Sequence, residues 1–360
     1  MLVLAGCNNH FISDSSLREQ IHNEWAERKE LFANGDCFAV FDGQLSMQER
    51  EAMEFLFSSM PSADLADYAG EYFLKNVRLS LKARQEMAWG KAVPEDIFRH
   101  FVLPVRVNNE RMDDFREVYY DELKERVKGL SLHDAALEIN HWCHEKVTYI
   151  PSDARTSSPM ATMLTGEGRC GEESTLTVSA MRAVGIPARF AGTASWHDNR
   201  GNHSWTEVWV DGEWRVTEYY LPSQLDHLWF MADAAKANPT DRTYAIYATR
   251  FGKADDWFPM VWAGEEENMA IEDLPKWVGA ENVTQHYIDL AYDQYTRHLE
   301  AGTHTFLRIA GYKEQGKTQH SEDRVAMGVD VFCGTEQMGG GLTAGPVRDM
   351  NDMFSVLVEK

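Results

Sequence analysis

The sequence predicts an α+β protein with a helical amino-terminal region, a mixed core and a small carboxy-terminal β-domain. Three observations carry this. From Ser16 to about Gly129 apolar residues recur at three- and four-residue spacing, the period of amphipathic helices. From Ser131 the texture changes: a helical stretch gives way to a second helix and then to alternating segments around Asp211-Gly212, a strong two-residue hairpin signal. Beyond about Ile271 short strand-like runs alternate with Gly-rich or polar turns. These shifts divide the chain into residues 1–15, a candidate leader or anchor; 16–130, the helical region; 131–270, the core; and 271–360, a β-sandwich-like domain.

In chain order, helices are predicted over Leu17 to Phe32, Met47 to Ser59 and Leu65 to Trp89. Ser46 and Ser62 stand where N-caps belong, Ser46 with Glu49 three residues on as a capping box. Pro61 and Gly90 punctuate between these helices. Met112 to Val127 makes another, stopped by Gly129. No catalytic residue types coincide with positioning signals here, so the region reads as a supporting layer. Leu132 to Val147 is helical and leads into a loop with Pro151, Ser157, Ser158 and Pro159. The run from Gly166 to Gly171 then opens a helix from about Glu172 to Val184, with Gly185 as its C-cap and Ile186-Pro187 ending it. In the last region Thr303 to Ile309, Val325 to Phe332 and Phe354 to Glu359 read as strands, and Gly339-Gly340-Gly341 as a turn. Val283 to Leu299 fits strand and helix equally. No internal repeat is present.

Composition narrows the function. The 360 residues are 44% hydrophobic and 26% charged, an ordinary globular balance. Thirty-five Lys and Arg against 57 Asp and Glu leave a net charge of −22. That excludes the clustered positive charge needed for nucleic acid or anionic lipid. No apolar run reaches the ~18 residues of a spanning helix. Five cysteines, an odd and sparse set, are not a disulfide scaffold, so each is read individually.

Cys170 follows a Gly-Glu-Gly turn at the start of a predicted helix. Backbone N–H groups and the helix dipole there favour a thiolate, and the same donors stabilise an oxyanion beside it. Downstream, His203 to Val210 alternates into the Asp211-Gly212 turn, and Glu213 to Tyr220 returns. With a two-residue loop Val210 faces Glu213, Trp205 faces Glu218 and His203 faces Tyr220. His203, Trp205 and Trp209 then share a face with Trp214 and Glu218. Glu218 becomes the diagonal neighbour of His203, and a base backed by a carboxylate is the orienting half of a catalytic triad. Glu207 shares the face but lies four residues along the same strand, too far to hold the imidazole. Asp211 belongs to the turn. The candidate catalytic set is therefore Cys170, His203 and Glu218.

The runs Gly168-Arg169-Cys170-Gly171-Glu172, Arg182-Ala183-Val184-Gly185-Ile186-Pro187-Ala188-Arg189 and His203-Ser204-Trp205-Thr206-Glu207-Val208 resemble the core of the transglutaminase-like superfamily. That superfamily includes transglutaminases, papain-like thiol hydrolases and peptide:N-glycanases. Arg-Cys-Gly-Glu at 169–172 and His-x-Trp-Thr-Glu-Val at 203–208 are glycanase-like. The Ser157 to Pro159 loop and the helical region before it are similar to transglutaminase-domain proteins of Bacteroidetes-type envelopes. The resemblance covers about Ser131 to Phe251. It implies a papain/transglutaminase-like core with Cys170 as nucleophile, His203 as general base and Glu218 in the place usually held by aspartate. Glu for Asp is a departure from the pattern. The activity implied is acyl transfer by a thiol enzyme that hydrolyses an amide bond in a peptide or glycopeptide. A cross-linking transglutaminase and a non-catalytic peptide- or glycan-binding module on the same fold are the alternatives. The expected partners are peptide, protein or glycopeptide; no cofactor and no metal is expected.

Leu4-Ala5-Gly6-Cys7 resembles the lipobox of bacterial lipoproteins, although only Leu2 to Ala5 form an apolar stretch before it. The expectation is export to a bacterial cell envelope, with a truncated leader and a lipid anchor at Cys7 as the only membrane contact. Other signals are set aside. Gly166, Gly168 and Gly171 spell GxGxxG, but no buried strand precedes them. His141, Cys143 and His144 lack a further zinc ligand. Trp142, a possible oxyanion-side aromatic in such folds, reads as a core residue. Cys37, Cys143 and Cys333 read as small buried hydrophobes. Asn202-His203-Ser204 and Asn282-Val283-Thr284 match the glycosylation pattern by chance.

Overall fold

The computed structural model describes residues 10–32, 36–151, 157–199, 201–217, 224–226, 228, 230–258, 278–296, 300, 302–309, 311, 313, 325–343 and 354–359. Cys7, Glu218 and the predicted boundary near residue 271 lie outside them. The chain divides into two compact units. One comprises Met1–Ala191, Trp205–Leu225 and Ala248–Glu281; the other comprises Gly192–Ser204, Asp226–Tyr247 and Asn282–Lys360.

In the first unit, α1 (Ser15–Leu31) starts at Asp14, whose carboxylate accepts from the amides of Ser16 and Leu17 at 2.8 and 3.0 Å. A 3-10 turn at Asp36–Asp42 precedes α2 (Met47–Ser59), which begins with the predicted Ser46–Glu49 capping box. The single helix expected over Leu65 to Trp89 is two, α3 (Ser62–Asp67) and α4 (Gly70–Glu86). The break has a packing cause: a Cβ at Gly70 would stand 2.1 Å from the Cys37 carbonyl oxygen, so α4 starts pressed against the 3-10 turn. Ser62 is the first residue of α3 behind Pro61, not its cap. After α5 (Glu95–Phe101), which the apolar spacing did not reveal, come α6 (Phe115–Arg126) and α7 (Leu132–Lys146), the latter capped by Ser131.

Residues 102–114, between α5 and α6, are largely buried yet form neither helix nor strand. Such a segment needs partners for its backbone. Two buried arginines supply them. Arg116 donates to the carbonyls of Val102, Leu103 and Pro104 at 2.8, 3.1 and 3.2 Å. Arg182 donates to Pro104 and Arg106 at 3.2 and 2.9 Å, and to Ala188 at 2.9 Å. Burial pushes both guanidinium groups down, Arg116 to about 10 and Arg182 to about 9.

Next come β1 (Thr148–Tyr149), α8 (Pro159–Thr165), β2 (Glu167–Gly168) and α9 (Cys170–Ala183). Helix α9 is the core element: residues 171–178 and 180–183 are buried, and it packs on α4, α6, α7 and α8. It ends as predicted, with Gly185 at φ +73° and the Ile186 amide bonded to the Met181 carbonyl at 3.0 Å. A six-stranded sheet runs in the order β5-β4-β3-β6-β8-β7, built from β3 (Ala188–Thr193), β4 (His203–Val210), β5 (Glu213–Thr217), β6 (Ile246–Arg250), β7 (Asp256–Trp257) and β8 (Gly279–Asn282). The β4–β5 register runs from Val210↔Glu213 to Thr206↔Thr217, so the hairpin loop is the predicted two residues. Asp211 and Gly212 both have positive φ, +57° and +88°, as a type I′ turn requires.

In the second unit α10 (Met231–Ala234) packs on α11 (Thr284–Thr296). Of the ambiguous stretch Val283 to Leu299, Thr284–Thr296 is therefore helical. Thr284 anchors the start of α11: its Oγ1 accepts from the Ile246 amide at 2.8 Å, and Asn282 Oδ1 accepts from its own amide at 3.2 Å. Two antiparallel ladders complete the unit: β9 (His304–Ile309) with β12 (Phe354–Glu359), and β10 (Gly328–Cys333) with β11 (Glu336–Leu342). Gly339 to Gly341 lie inside β11, and the turn is at Gly334-Thr335 instead. Among the described residues no helix is long and apolar enough to cross a membrane.

Candidate active site

Cys170 is the first residue of α9 and is half-buried. The segment leading to it is fixed from two sides. Strand β2 pairs in parallel with β1, Tyr149 opposite Gly168, and the Ile150 amide bonds the Gly168 carbonyl at 2.9 Å. Gly168 has no room for a side chain, since a Cβ would lie 2.9 Å from the Cβ of Glu172. Glu172, three residues into the turn, reaches back to accept from the Arg169 amide at 3.0 Å and from the Ser157 amide at 3.2 Å, while the Arg169 guanidinium pairs with it at 3.1 Å. Arginine has no acceptor, so only this returning half of a capping box exists here. The preceding helix α8 is anchored in turn by Asp113, which accepts from the Met160 amide at 2.8 Å. Burial raises the Asp113 pKa despite those bonds.

Within the same unit α9 and β4 are joined directly: Thr206 Oγ1 donates to the Ser174 carbonyl at 3.4 Å. Glu207 is fully buried and pairs with the equally buried Arg189, whose guanidinium also lies 4.0 Å from the centre of the Trp214 ring. Arg189 and Arg250 both reach Glu281, at 2.6 and 2.9 Å. Burial alone would raise Glu281, but the two arginines outweigh it and hold its carboxyl below the ordinary value. Glu207 is thus engaged by Arg189 within the sheet.

In the second unit His203 opens β4 and is half-buried. Its imidazole packs edge-to-face on Phe230, with centroids 5.2 Å apart, and beside Trp196 at 6.3 Å; Trp196 and Phe230 also touch, at 5.5 Å. The Trp196 loop is tied down by the Ser195 amide to the Thr243 carbonyl at 2.9 Å and by the Tyr244 hydroxyl to Asn199 Oδ1 at 2.8 Å. Beside it the ligand atoms of His197, Asp198 and Asp233 lie within 4.8 Å of one another, a spacing that suits a cation. Sequence reading missed this group, because Asp233 is distant in the chain and no motif links it to His197-Asp198.

Of the residues set aside, Trp142, Cys143 and Cys37 fall where their readings as core residues put them, and Cys333 does not. Trp142 is 1% exposed, lies edge-on to Phe115 and Tyr119, and donates from its indole to Glu122 at 2.8 Å. Cys143 is buried, and burial pushes its thiol up to about 12. Cys37 is buried, whereas Cys333 is exposed on β10, contrary to its reading as a buried hydrophobe. Asn282 is occupied at the start of α11, where its amide also donates to the Pro239 carbonyl at 3.0 Å.

Residues 121–219 match the family model of the transglutaminase-like superfamily, so this stretch is a transglutaminase-like domain on an α+β fold. No curated protein matches the chain. Among solved structures, a candidate cysteine protease from Cytophaga hutchinsonii aligns at 21% identity and a TM-score of 0.26, over 29% of this chain and 37% of that one. Legionella pneumophila LapG (EGTA-treated) aligns at 15% identity and a TM-score of 0.28, over 49% of this chain and 84% of that one. Red sea bream transglutaminase aligns at 12% identity and a TM-score of 0.26, over 79% of this chain and 52% of that one. The chain therefore spans little more than a third of the length of the Cytophaga protein. Superpositions this loose carry no functional weight.

Proposed function

We propose that the transglutaminase-like domain is a thiol enzyme that works by acyl transfer and hydrolyses an amide bond in a peptide or glycopeptide. Cys170 Sγ, as thiolate, attacks the amide carbonyl, and N–H groups at the start of α9 take the charge that develops on its oxygen. The C–N bond breaks as His203 gives its proton to the leaving amine. Water then attacks the thioester, His203 takes a proton from it, and the acid is released with the thiolate restored. Glu218 orients the imidazole. Export and a lipid anchor at Cys7 belong to the same proposal.

The observation that carries this reading is the construction of the α9 start. A half-buried cysteine occupies its first position, behind a glycine that admits no side chain and a loop tied by Glu172. A cysteine that only fills space needs none of this.

The test is turnover of peptide, glycopeptide and peptidoglycan libraries by wild type and Cys170→Ala. The expected result is cleavage in one library that vanishes in the variant. Amine incorporation in place of cleavage would make the enzyme a cross-linker, and binding without turnover would make the domain a recognition module.

A further inference from the structure

A cavity of about 420 Å³ opens in the helical part of the first unit, between α3 and residues 106–111 of the irregular segment. That volume is within the range of small-molecule sites. Its walls are built to hold shape. Arg106 is buried and forks onto both carboxylate oxygens of Asp64 while also donating to the Glu110 carbonyl. The Glu110 carboxylate accepts from the amides of Val107 and Asn108, both at 2.8 Å. The Arg182 guanidinium holds the Arg106 carbonyl from behind at 2.9 Å.

Two amides in this wall stand out. Asn108 is only 5% exposed and lines the cavity, yet its hydrogen bond is made by its backbone; among the described residues none reaches its side-chain amide. Asn109 also lines the cavity, and its Oδ1 is buried with no hydrogen-bond partner. Buried amides are nearly always satisfied, so the Asn108 carboxamide, left open beside the cavity, calls for a ligand.

The lining says which kind. Asp64, Asp67 and Glu110 outnumber Arg106 and Arg111, and each nitrogen of Arg106 is already engaged, which disfavours an anion. The two arginines likewise disfavour a cation. The Asn108 carboxamide offers a donor and an acceptor side by side, and the Asn109 amide nitrogen adds a donor, the complement of neighbouring hydroxyls. Half-buried Tyr68 adds an aromatic wall, its own hydroxyl engaged by the Met112 amide at 2.9 Å. We infer that this cavity is a saccharide-binding site that takes one or two neutral sugar units, with Asn108 and Asn109 reading hydroxyl groups beside Tyr68. The site is independent of the proposed thiol chemistry.

The experiment is saturation-transfer NMR on the full chain. The probes are glucose, galactose, mannose, N-acetylglucosamine and their β-linked dimers, with tetra-alanine and inorganic phosphate as competitors. The expected result is transfer to at least one sugar, weakened about tenfold or more in Asn108→Ala and in Asn109→Ala, and unchanged in Cys170→Ala. Asn109 is less buried than Asn108, so its variant serves if Asn108→Ala fails to fold. No transfer to any sugar, transfer that survives both asparagine variants, or displacement by tetra-alanine or phosphate would each overturn the assignment. Because Cys170→Ala is included, failure of the sugar site and failure of the thiol reading are separately visible.

Discussion

Cys143 and Cys170 lie on neighbouring helices of the same unit, one near the end of α7 and the other at the start of α9. Cys143 is enclosed, and burial pushes its thiol up to about 12, which leaves it a neutral filler at physiological pH. Cys170 is half-exposed, at the positive end of a helix and behind a loop held by Glu172. The residue type is the same, and on the proposed reading position along the helix decides its chemistry. Burial keeps Cys143 neutral, and on the proposed reading reactivity is left to the cysteine at the place where a helix begins.

Trp142 gives the largest expected effect on that contrast. It belongs to the Cys143 side, packed between Phe115 and Tyr119 and bonded to Glu122. Trp142→Ala is expected to cost about 3–5 kcal/mol, measured by denaturant unfolding, while folded protein keeps its Cys170 alkylation rate. Stability that holds while reactivity collapses would instead move Trp142 into the site.

A smaller effect comes from His100, another group the interior keeps neutral. Burial pushes its pKa down to about 4, with Arg250 and Arg99 adding to the shift against Asp96; its Nδ1 faces the Phe251 carbonyl at 2.6 Å, and its ring lies edge-on to Phe55. The unfolded imidazole takes a proton near 6.5 and the folded one only near 4. The unfolded state therefore binds more protons between those values, and stability falls as pH drops from about 6.5 to about 4. The loss approaches about 3 kcal/mol at the acid end. Unfolding midpoints measured across that range should show the slope in wild type and less of it in His100→Leu. Equal slopes would mean that His100 is not the group responsible.

How much of this was legible in the sequence follows from where the determining partners lie. The capping box of α2, the Gly185 stop of α9 and the β4–β5 hairpin are written in adjacent residues, and the structure has them as read. The start of α9 falls at Cys170 itself, two residues earlier than the apolar pattern suggested, because Glu172 caps from inside the helix. What was not legible depends on distant contacts. The break at Gly70 is set by Cys37, and the shape of residues 102–114 by Arg116 and Arg182. Gly339 to Gly341 read as a turn because glycine carries no side-chain periodicity, yet pairing with β10 makes them a strand. Of the site, Cys170 and its helix were visible as a motif, whereas the packing of His203 against Trp196 and Phe230 required the folded chain.

The central claim is that the start of α9 makes Cys170 reactive. Labelling the native protein with iodoacetamide near neutral pH, with each cysteine followed by peptide mass spectrometry, compares Cys170 directly with Cys143 in one sample. The expected result is fast modification of Cys170, slowed in His203→Ala, with Cys143 untouched until the protein unfolds. Modification of Cys170 no faster than a free cysteine, or a rate indifferent to His203, would contradict it.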